Sequence, residues 1–223
     1  MFRWSLISTF VLAACGGDGT GLGGRPGDFG QVEATPECGA LSQACVGQGL
    51  DAPIALGSTL NVAVQYKIPG SSSPPITLVT ADHTVLTTPS STQLEAVGEG
   101  MSAVLFTGPG GEVIDVIHVF VQQPAELRLD RFNAAGELLG QVQPSSKLLA
   151  GDEILIAAEP FANGQPLLGN FDLGYATTDG AVVEVVPDPV FGWYRVVARA
   201  AGHATVSFSA LGIETAWQLE VLP

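Results

Sequence analysis

The residues of this 223-residue sequence that are best suited to catalysis are three histidines, His83, His118 and His203, which stand far apart. A catalytic histidine works beside a nucleophile or a carboxylate. The sequence contains no Gly-x-Ser-x-Gly turn, no His-Glu-x-x-His and no Gly-x-x-x-x-Gly-Lys loop. We therefore expect turn or surface histidines, no catalytic residue, no cofactor, and a protein that is not an enzyme.

Three turn aspartates are the residues with the chemistry to bind a cation. Asp82 in Thr-Ala-Asp-His-Thr-Val and Asp179 in Thr-Thr-Asp-Gly-Ala-Val occupy matching turns, and Asp188 lies between two prolines. Calcium requires six or more oxygen ligands, whereas a turn aspartate often accepts hydrogen bonds from its own backbone. We expect no metal site, although the sequence alone leaves cation binding at Asp82 and Asp179 open.

Cys15 ends an apolar run of eleven residues, Trp4 to Ala14, that follows Arg3. As a helix this run would span about 16 Å at about 1.5 Å per residue, roughly half the hydrocarbon thickness of a bilayer. It is therefore too short to cross a membrane. A basic residue, a short apolar stretch and small residues at its end are typical of a secretory signal peptide, which we place at residues 1–14.

The segment Leu12-Ala13-Ala14-Cys15 resembles the lipobox of bacterial lipoproteins. This resemblance implies that Cys15 becomes the first mature residue, carries lipid on its thiol and binds the membrane through it. Each buried methylene of an acyl chain contributes about 0.8 kcal/mol, so several chains on one cysteine hold a protein on a membrane. In the same family Gly16, in place of Asp, implies export to the outer membrane in a Gram-negative host, and the sequence does not state the host. The alternative is an ordinary signal peptide with a chance cysteine.

If Cys15 carries lipid, Cys38 and Cys45 remain, and thiols of exported proteins normally pair. We predict a Cys38–Cys45 disulfide that stabilises the fold by about 2 to 3 kcal/mol. The sequence lacks a Cys-x-x-Cys redox spacing and a second ligand pair for a metal. The Gly-rich stretch 16–37 predicts a flexible tether with a reach of about 25 Å. Residues 15–45 would thus form the anchor, the tether and a small disulfide loop.

The charge of the chain disfavours anionic partners. The formal net charge is −14, and loss of the signal peptide with Arg3 leaves 22 acidic against 7 basic residues, or −15. Nucleic acid and anionic lipid headgroups are repelled by such a surface. Because the acidic residues are scattered, we interpret them as a solvated, self-repelling surface.

The rest of the sequence predicts an all-β fold of two similar domains. The stretch Leu60–Ile68 alternates apolar and polar residues, and further short apolar runs follow between Gly, Pro and Ser clusters. Leu94–Phe106 aligns with Val196–Phe208 at an offset of 102, and two upstream blocks align in the same order. We therefore predict tandem β-sandwiches at residues 46–122 and 123–223.

The order of these blocks resembles bacterial immunoglobulin-like domains, nearest to group 2. In that pattern a glycine turn precedes the penultimate strand, and Gly100 and Gly202 match it. The resemblance implies two tandem immunoglobulin-like β-sandwiches, a fold that occurs in surface proteins as spacers or adhesive modules. The first copy lacks a counterpart to the opening stretch Glu126–Leu138. The short connection after Gln122 predicts a semi-rigid rod.

One stretch of the second copy carries a candidate contact surface. Alternation over Tyr194–Ala198 places the even-numbered residues in the core and directs Trp193 outward beside Arg195, with Phe191 just before it. Exposed Trp and Phe next to Arg are typical of binding hot spots, so we predict contacts with a protein or a glycan. The alternative is that residues 159–175 cover Trp193.

Together these patterns favour a lipid-anchored protein of the cell envelope, most simply of the outer membrane, that acts as a binding or adhesion module. The alternative function is a structural spacer or an accessory subunit of an envelope complex. The sequence leaves open the ligand and whether the protein faces the periplasm or the exterior.

Overall fold

The computed structural model describes residues 24–37, 44–45, 49–68, 70, 73–133, 135–188 and 193–223. These residues form nineteen β-strands and a 3₁₀-helix, Gly49–Asp51. Within these ranges no helix has the length and apolarity needed to cross a membrane. The predicted all-β fold class is therefore confirmed, while the signal peptide lies outside the described residues.

The first sandwich is built from two facing sheets. Its strands are β1 (Arg25–Pro26), β2 (Val32–Glu37), β3 (Ile54–Ala55), β4 (Thr59–Tyr66), β5 (Thr77–Thr80), β6 (Leu86–Ser90), β7 (Gln93–Ala96), β8 (Gly100–Thr107) and β9 (Val113–Gln122). One sheet has the order β1-β2-β4-β7-β6, and the other has the order β3-β9-β8-β5. Strand β3 runs parallel to β9, and the other pairs are antiparallel. The core between the sheets includes Leu60, Phe106 and Ile117.

The second sandwich repeats this plan. Its strands are β10 (Glu126–Phe132), β11 (Leu138–Gln141), β12 (Ser145–Leu149), β13 (Glu153–Ala162), β14 (Gln165–Pro166), β15 (Gly174–Thr177), β16 (Val183–Asp188), β17 (Trp193–Ala198), β18 (Gly202–Ala210) and β19 (Ile213–Leu222). The sheets have the orders β11-β10-β13-β17-β16 and β12-β19-β18-β15, with β14 beside β13. Its core includes Phe208 and Trp217.

The two strand orders are the same and are those of an immunoglobulin fold. In the first sandwich β2-β4-β7-β6 form one sheet and β9-β8-β5 the other. In the second sandwich β10-β13-β17-β16 and β19-β18-β15 take the same places. The predicted glycine turns occupy matching places: Gly100 and Gly202 have φ of 138° and 156° and begin strands β8 and β18. A Cβ on Gly202 would lie 2.8 Å from Val182 Cγ2, so a side chain there would also clash.

The expectation of a flexible tether over residues 16–37 is wrong for residues 24–37. Strand β2 pairs along its whole length with β4, and Val32, Ala34 and Pro36 are buried. This strand occupies the place that Glu126–Phe132 holds in the second copy, so it is the counterpart that the first copy seemed to lack. Its short alternation, interrupted by Pro36, gave no clear strand pattern in the sequence.

A buried carboxylate fixes this N-terminal segment. Asp115 Oδ1 accepts hydrogen bonds from the backbone N–H groups of Phe29 and Val116, both at 2.8 Å. Its Oδ2 accepts from Gln31 at 2.8 Å and from Val32 at 2.9 Å. Burial alone would raise the pKa of Asp115, but the four N–H donors together lower it below the ordinary value. These hydrogen bonds hold the turn before β2 against strand β9.

The predicted register of β9 is wrong at its N-terminal end, before Asp115. The sequence alignment places Val113, Ile117, Val119 and Val121 inward and His118 outward, and the structure shows Val113 exposed instead. A bulge between Phe106 and Thr107 shifts the pairing of β8 with β9. Beyond the bulge, Ile114 and Asp115 are the buried residues.

The two sandwiches are joined by backbone pairing as well as by the short link after β9. Leu168 N donates to Pro53 O at 2.8 Å, and Ala55 N donates to Leu168 O at 2.8 Å. Thr59 and Asn170 exchange two backbone hydrogen bonds of 3.1 and 2.6 Å. Leu168 belongs to the second sandwich in sequence, yet its side chain is buried in the core of the first. This joint restricts movement between the two sandwiches.

Replacing Asp115 by Asn tests the carboxylate network. One amide oxygen cannot accept all four N–H groups, so we expect a loss of about 2 kcal/mol or more in the free energy of unfolding at pH 7. Because the pKa of Asp115 is lowered in the folded state, its ionised side chain contributes fully to the free energy of unfolding above the unfolded pKa of about 3.9. This contribution is lost as the pH falls through the folded pKa. Urea unfolding at pH 7 and pH 3 should show the difference shrink in acid. Exposed Glu112→Gln is the control, and equal stability of Asp115→Asn and wild type at pH 7 would contradict the network.

Replacing Gly169 by Ala tests the joint. Gly169 has a φ of 136°, and a Cβ there would lie 2.0 Å from Ser58 Oγ. We expect Gly169→Ala to open the joint, lower the unfolding temperature and broaden the distance distribution in small-angle X-ray scattering. Gly164→Ala is the matched control, because Gly164 also has a positive φ of 79° but nothing within 4 Å of a built Cβ. Identical behaviour of the two variants would show that the close approach to Ser58 does not matter.

Candidate binding surface

Several predicted site residues lie outside the described residues, namely Cys15, Cys38 and Phe191. Cys45 is fully buried in the core of the first sandwich and is disulfide-bonded. The predicted Cys38–Cys45 pairing stays a prediction because Cys38 is not described. The neighbouring Ala44 N donates to Glu159 Oε1 of the second sandwich at 3.2 Å. Cys45 thus lies beside the joint rather than at the end of a free tether.

The prediction that Trp193 is exposed is wrong. Its side chain points to the outer face of the sheet, as the alternation predicts, but it is only 3% exposed. Its ring stacks on Phe132 with the ring centroids 5.5 Å apart and the planes at 16°. A Cβ built on Gly136 would lie 3.3 Å from Trp193 Cη2, so the backbone after β10 also closes over the ring. A contact surface that needs an accessible Trp193 is therefore absent from the described structure.

Arg195, the other described residue of the predicted surface, does lie at an accessible site. Its side chain is 45% exposed, with Nε 3.8 Å from Glu153 Oε2 and Nη2 3.4 Å from Asp188 Oδ2. Arg195 borders a groove of about 570 Å³ on the outer face of the β11-β10-β13-β17-β16 sheet. The groove lining includes Arg131, Phe132, Leu139, Glu153 and Leu155.

Arg131 borders this groove and has no ion pair with the described residues. Every other Lys or Arg within the described ranges forms an ion pair, namely Arg25, Lys67, Arg128, Lys147, Arg195 and Arg199. Arg131 is exposed and forms none with the described residues. The register of β10 with β13 pairs Arg131 with the core residue Ile156 and Phe132 with Leu155, so Arg131 borders the groove from the opposite face of β10 to the apolar residues Phe132 and Leu155. This combination suits a ligand that carries a carboxylate next to an apolar surface.

The carboxylates of Asp82 and Asp179 accept hydrogen bonds from residues of their own turns. Asp82 Oδ1 accepts from Thr84 Oγ1 at 2.6 Å and from Thr84 N at 2.9 Å, and these hydrogen bonds lower the pKa of Asp82. Asp179 Oδ1 accepts from Ala181 N at 2.9 Å. In the described part of the chain no group of three or more His, Cys, Asp or Glu is placed to hold a metal ion. Asp188 faces Arg195 instead.

The three histidines are not brought together by the fold. His83 Nδ1 lies 3.1 Å from Thr80 Oγ1, and His118 Nδ1 lies 3.4 Å from Asp28 Oδ2. His203 lies opposite Glu220 on the outer face of the second sandwich. Each histidine thus has its own surface neighbour and not a shared catalytic partner.

Sequence analysis identified Arg195 but missed Arg131, Phe132 and Leu139, which complete the groove. These residues come from β10 and β11, more than fifty positions before Arg195 in the chain. A bulge between Arg131 and Phe132 shifts their pairing with β11. The sequence shows a strand here, but it contains no sign that this strand lies beside β13 and then β17.

No protein-family model and no curated protein matches the chain. Solved structures align with it at low similarity. Domains 4 and 5 of the S-layer protein SbsC are 13% identical over 86% of this chain and 98% of that chain, with a TM-score of 0.34. The D0–D1 domain of intimin is 13% identical over 78% and 96%, with a TM-score of 0.29. The Yersinia pseudotuberculosis adhesin InvE is 12% identical over 77% and 57%, with a TM-score of 0.32. At TM-scores below 0.5 these alignments carry no argument, so the fold assignment rests on the strand order above.

Replacing Trp193 by Ala tests whether this ring is structural. Because Trp193 is buried against Phe132, we expect a loss of about 3 to 5 kcal/mol in the free energy of unfolding, measured by urea denaturation. Leu138→Ala is the control, since Leu138 is half exposed on the same hairpin and its loss should change stability by less than about 0.5 kcal/mol. A Trp193→Ala protein as stable as the control would show that the ring packs loosely.

Proposed function

We propose that this chain is a membrane-anchored, non-catalytic lipoprotein of the cell envelope that works as an immunoglobulin-like binding or adhesion module. The anchor is lipid on Cys15, and Gly16 after it favours the outer membrane. The observation that supports the binding role is the groove beside Arg195 with its unneutralised Arg131. Its ligand is a glycan or an envelope protein segment that presents a carboxylate.

The chemistry of the groove supports this ligand class. A guanidinium group binds a carboxylate through two parallel hydrogen bonds, and Arg131 has no described acidic partner to displace first. Arg195 is partly neutralised by Glu153 and Asp188, so it would orient a bound ligand more than it would attract one by its charge. The apolar residues Leu139 and Leu155 offer area to a sugar ring or an aliphatic side chain.

A non-catalytic role is supported by the places of the titratable side chains. The carboxylates of Asp82 and Asp179 accept hydrogen bonds within their own turns. Each histidine lies on a separate surface element. General acid–base chemistry requires such groups to converge on one reacting atom.

A second candidate function is a structural spacer or an accessory subunit of an envelope complex. The joint supports it, because Leu168 inserts into the core of the first sandwich and main-chain hydrogen bonds cross between the sandwiches. A module that only presents a ligand site would not need such coupling, whereas a spacer must transmit position from one end to the other.

Fractionation of the host envelope tests the anchor. Wild-type protein should sediment with membranes and be released only by detergent, while Cys15→Ser should be secreted or periplasmic and soluble. Mass spectrometry of the mature N-terminus should show the acyl chains on Cys15. Wild-type protein in the soluble fraction without acyl chains would overturn the lipoprotein assignment.

Binding to immobilised acidic and neutral oligosaccharides and to envelope peptides tests the groove. We expect wild-type protein to bind acidic ligands, and Arg131→Ala to weaken this binding by at least tenfold, about 1.4 kcal/mol. Arg199→Ala is the matched control, because Arg199 is exposed but pairs with Glu184 away from the groove. Equal binding by both variants would exclude the groove, and absence of binding by wild type would favour the spacer function.

A further inference from the structure

The outer face of the β3-β9-β8-β5 sheet in the first sandwich is apolar. Met101 and Phe120 lie opposite each other on β8 and β9 and are 52% and 51% exposed. Leu105 lies opposite Val116 in the same two strands, and Val79 on β5 lies opposite Leu105. These side chains, with the outward His118 between them, form one continuous face, which we call the outer apolar face.

The second sandwich shows that the fold does not require this apolar surface. The pairings of Gly100 with Val121 and Gly202 with Val221 put the two sheets in register. The six positions of the outer apolar face are Val79, Met101, Leu105, Val116, His118 and Phe120. The matched positions in the second sandwich are Ala176, His203, Ser207, Ala216, Gln218 and Glu220. The same backbone therefore carries a polar or small residue at each matched position, and solvent-exposed apolar patches of this kind mark interaction sites.

The described chain begins at the edge of this face. Arg25 Nη1 donates to His118 O at 3.0 Å, and Asp28 N donates to Val116 O at 2.8 Å. The segment from Gly24 to Asp28 therefore runs beside β9, the strand that carries Phe120. The chain enters the first sandwich next to the outer apolar face.

The covalent chain limits how far this face can lie from the anchor. Residues 16–23 connect Cys15 to Gly24, and nine Cα–Cα steps of at most about 3.3 to 3.6 Å span about 30 Å when fully extended. A short link of this kind makes a second contact intramolecular, with an effective concentration in the millimolar range. A surface too small to bind a bilayer from free solution can then remain in contact with it.

The charges of the face agree with an uncharged lipid surface. None of its six positions carries a carboxylate, although the chain has 22 acidic residues. The one titratable group, His118, faces Asp28 at 3.4 Å. Phe, Met, Leu and Val side chains transfer favourably from water into the boundary between headgroups and acyl chains.

We propose that the outer apolar face of the first sandwich lies against the lipid surface to which Cys15 is anchored, with Phe120 and Met101 at the headgroup–acyl boundary. This inference rests on the lipid anchor of the proposed function. It orients the first sandwich on the membrane, and it replaces the picture of a body held away from the lipid by a long tether.

Fluorescence quenching in vesicles tests this contact. The chain from Cys15 onward is coupled through that thiol to a maleimide phospholipid in zwitterionic phosphatidylcholine vesicles that contain brominated acyl chains. Phe120→Trp places a reporter on the face, and Glu220→Trp places one at the matched position of the second sandwich. We expect at least threefold stronger bromine quenching of the new Trp in Phe120→Trp than in Glu220→Trp. Adding Met101→His and Leu105→Ser to Phe120→Trp should abolish the excess.

Two results would overturn the proposal. Equal, weak quenching of both reporters would place the face away from lipid. Protection of the Phe120→Trp reporter from aqueous acrylamide without quenching by brominated lipid would show that another protein surface, such as a second copy of this chain, covers the face. Because the lipid is attached chemically, this test is independent of the fractionation experiment, and failure of the natural anchor is told apart from failure of the contact.

Discussion

The hydrogen bonds of one buried carboxylate determine where the folded body of this protein begins. Asp115 accepts four backbone N–H groups, two of them from the turn that precedes β2 and one from Val32 at the start of β2. Unpaired, the buried N–H group of Val32 would lack a partner, which costs about 1 to 3 kcal/mol. With these donors satisfied, residues 24–37 form the first strands of the first sandwich. Only residues 16–23 then separate Cys15 from the fold.

That constraint also limits the distance between Cys15 and the first sandwich. A tether of more than twenty residues would uncouple the sandwiches from Cys15 and from the lipid proposed for it, and the outer apolar face could then bind another partner. A link of eight residues that enters beside β9 keeps Gly24, at the edge of the outer apolar face, within about 30 Å of Cys15. The second sandwich is in turn coupled to the first by Leu168 and the main-chain pairs around it. An orientation imposed on the first sandwich is therefore passed to the groove of the second.

The two copies of the fold have diverged on their surfaces while their cores remain alike. Phe106 and Phe208 fill matching core positions on β8 and β18. On the other side of the same strands, Met101 and Leu105 correspond to His203 and Ser207. A β-strand can change one face without the other because successive side chains point to opposite sides. The repeat thus provides two different surfaces on one scaffold.

The sequence by itself determined the fold class, the repeat and the inward residues of the regular strands. Period-2 alternation is a local property, so it placed Tyr194, Val196 and Trp217 on the correct faces and identified the Asp82 and Asp179 turns. Only the tertiary structure decided whether an outward side chain meets solvent or another element. Trp193 is covered by Phe132, sixty-one positions earlier in the chain, and β2 is recognisable as a strand only through its pairing with β4. Such contacts depend on which distant segments become neighbours, and alternation within one strand holds no information about the residue that folds over it.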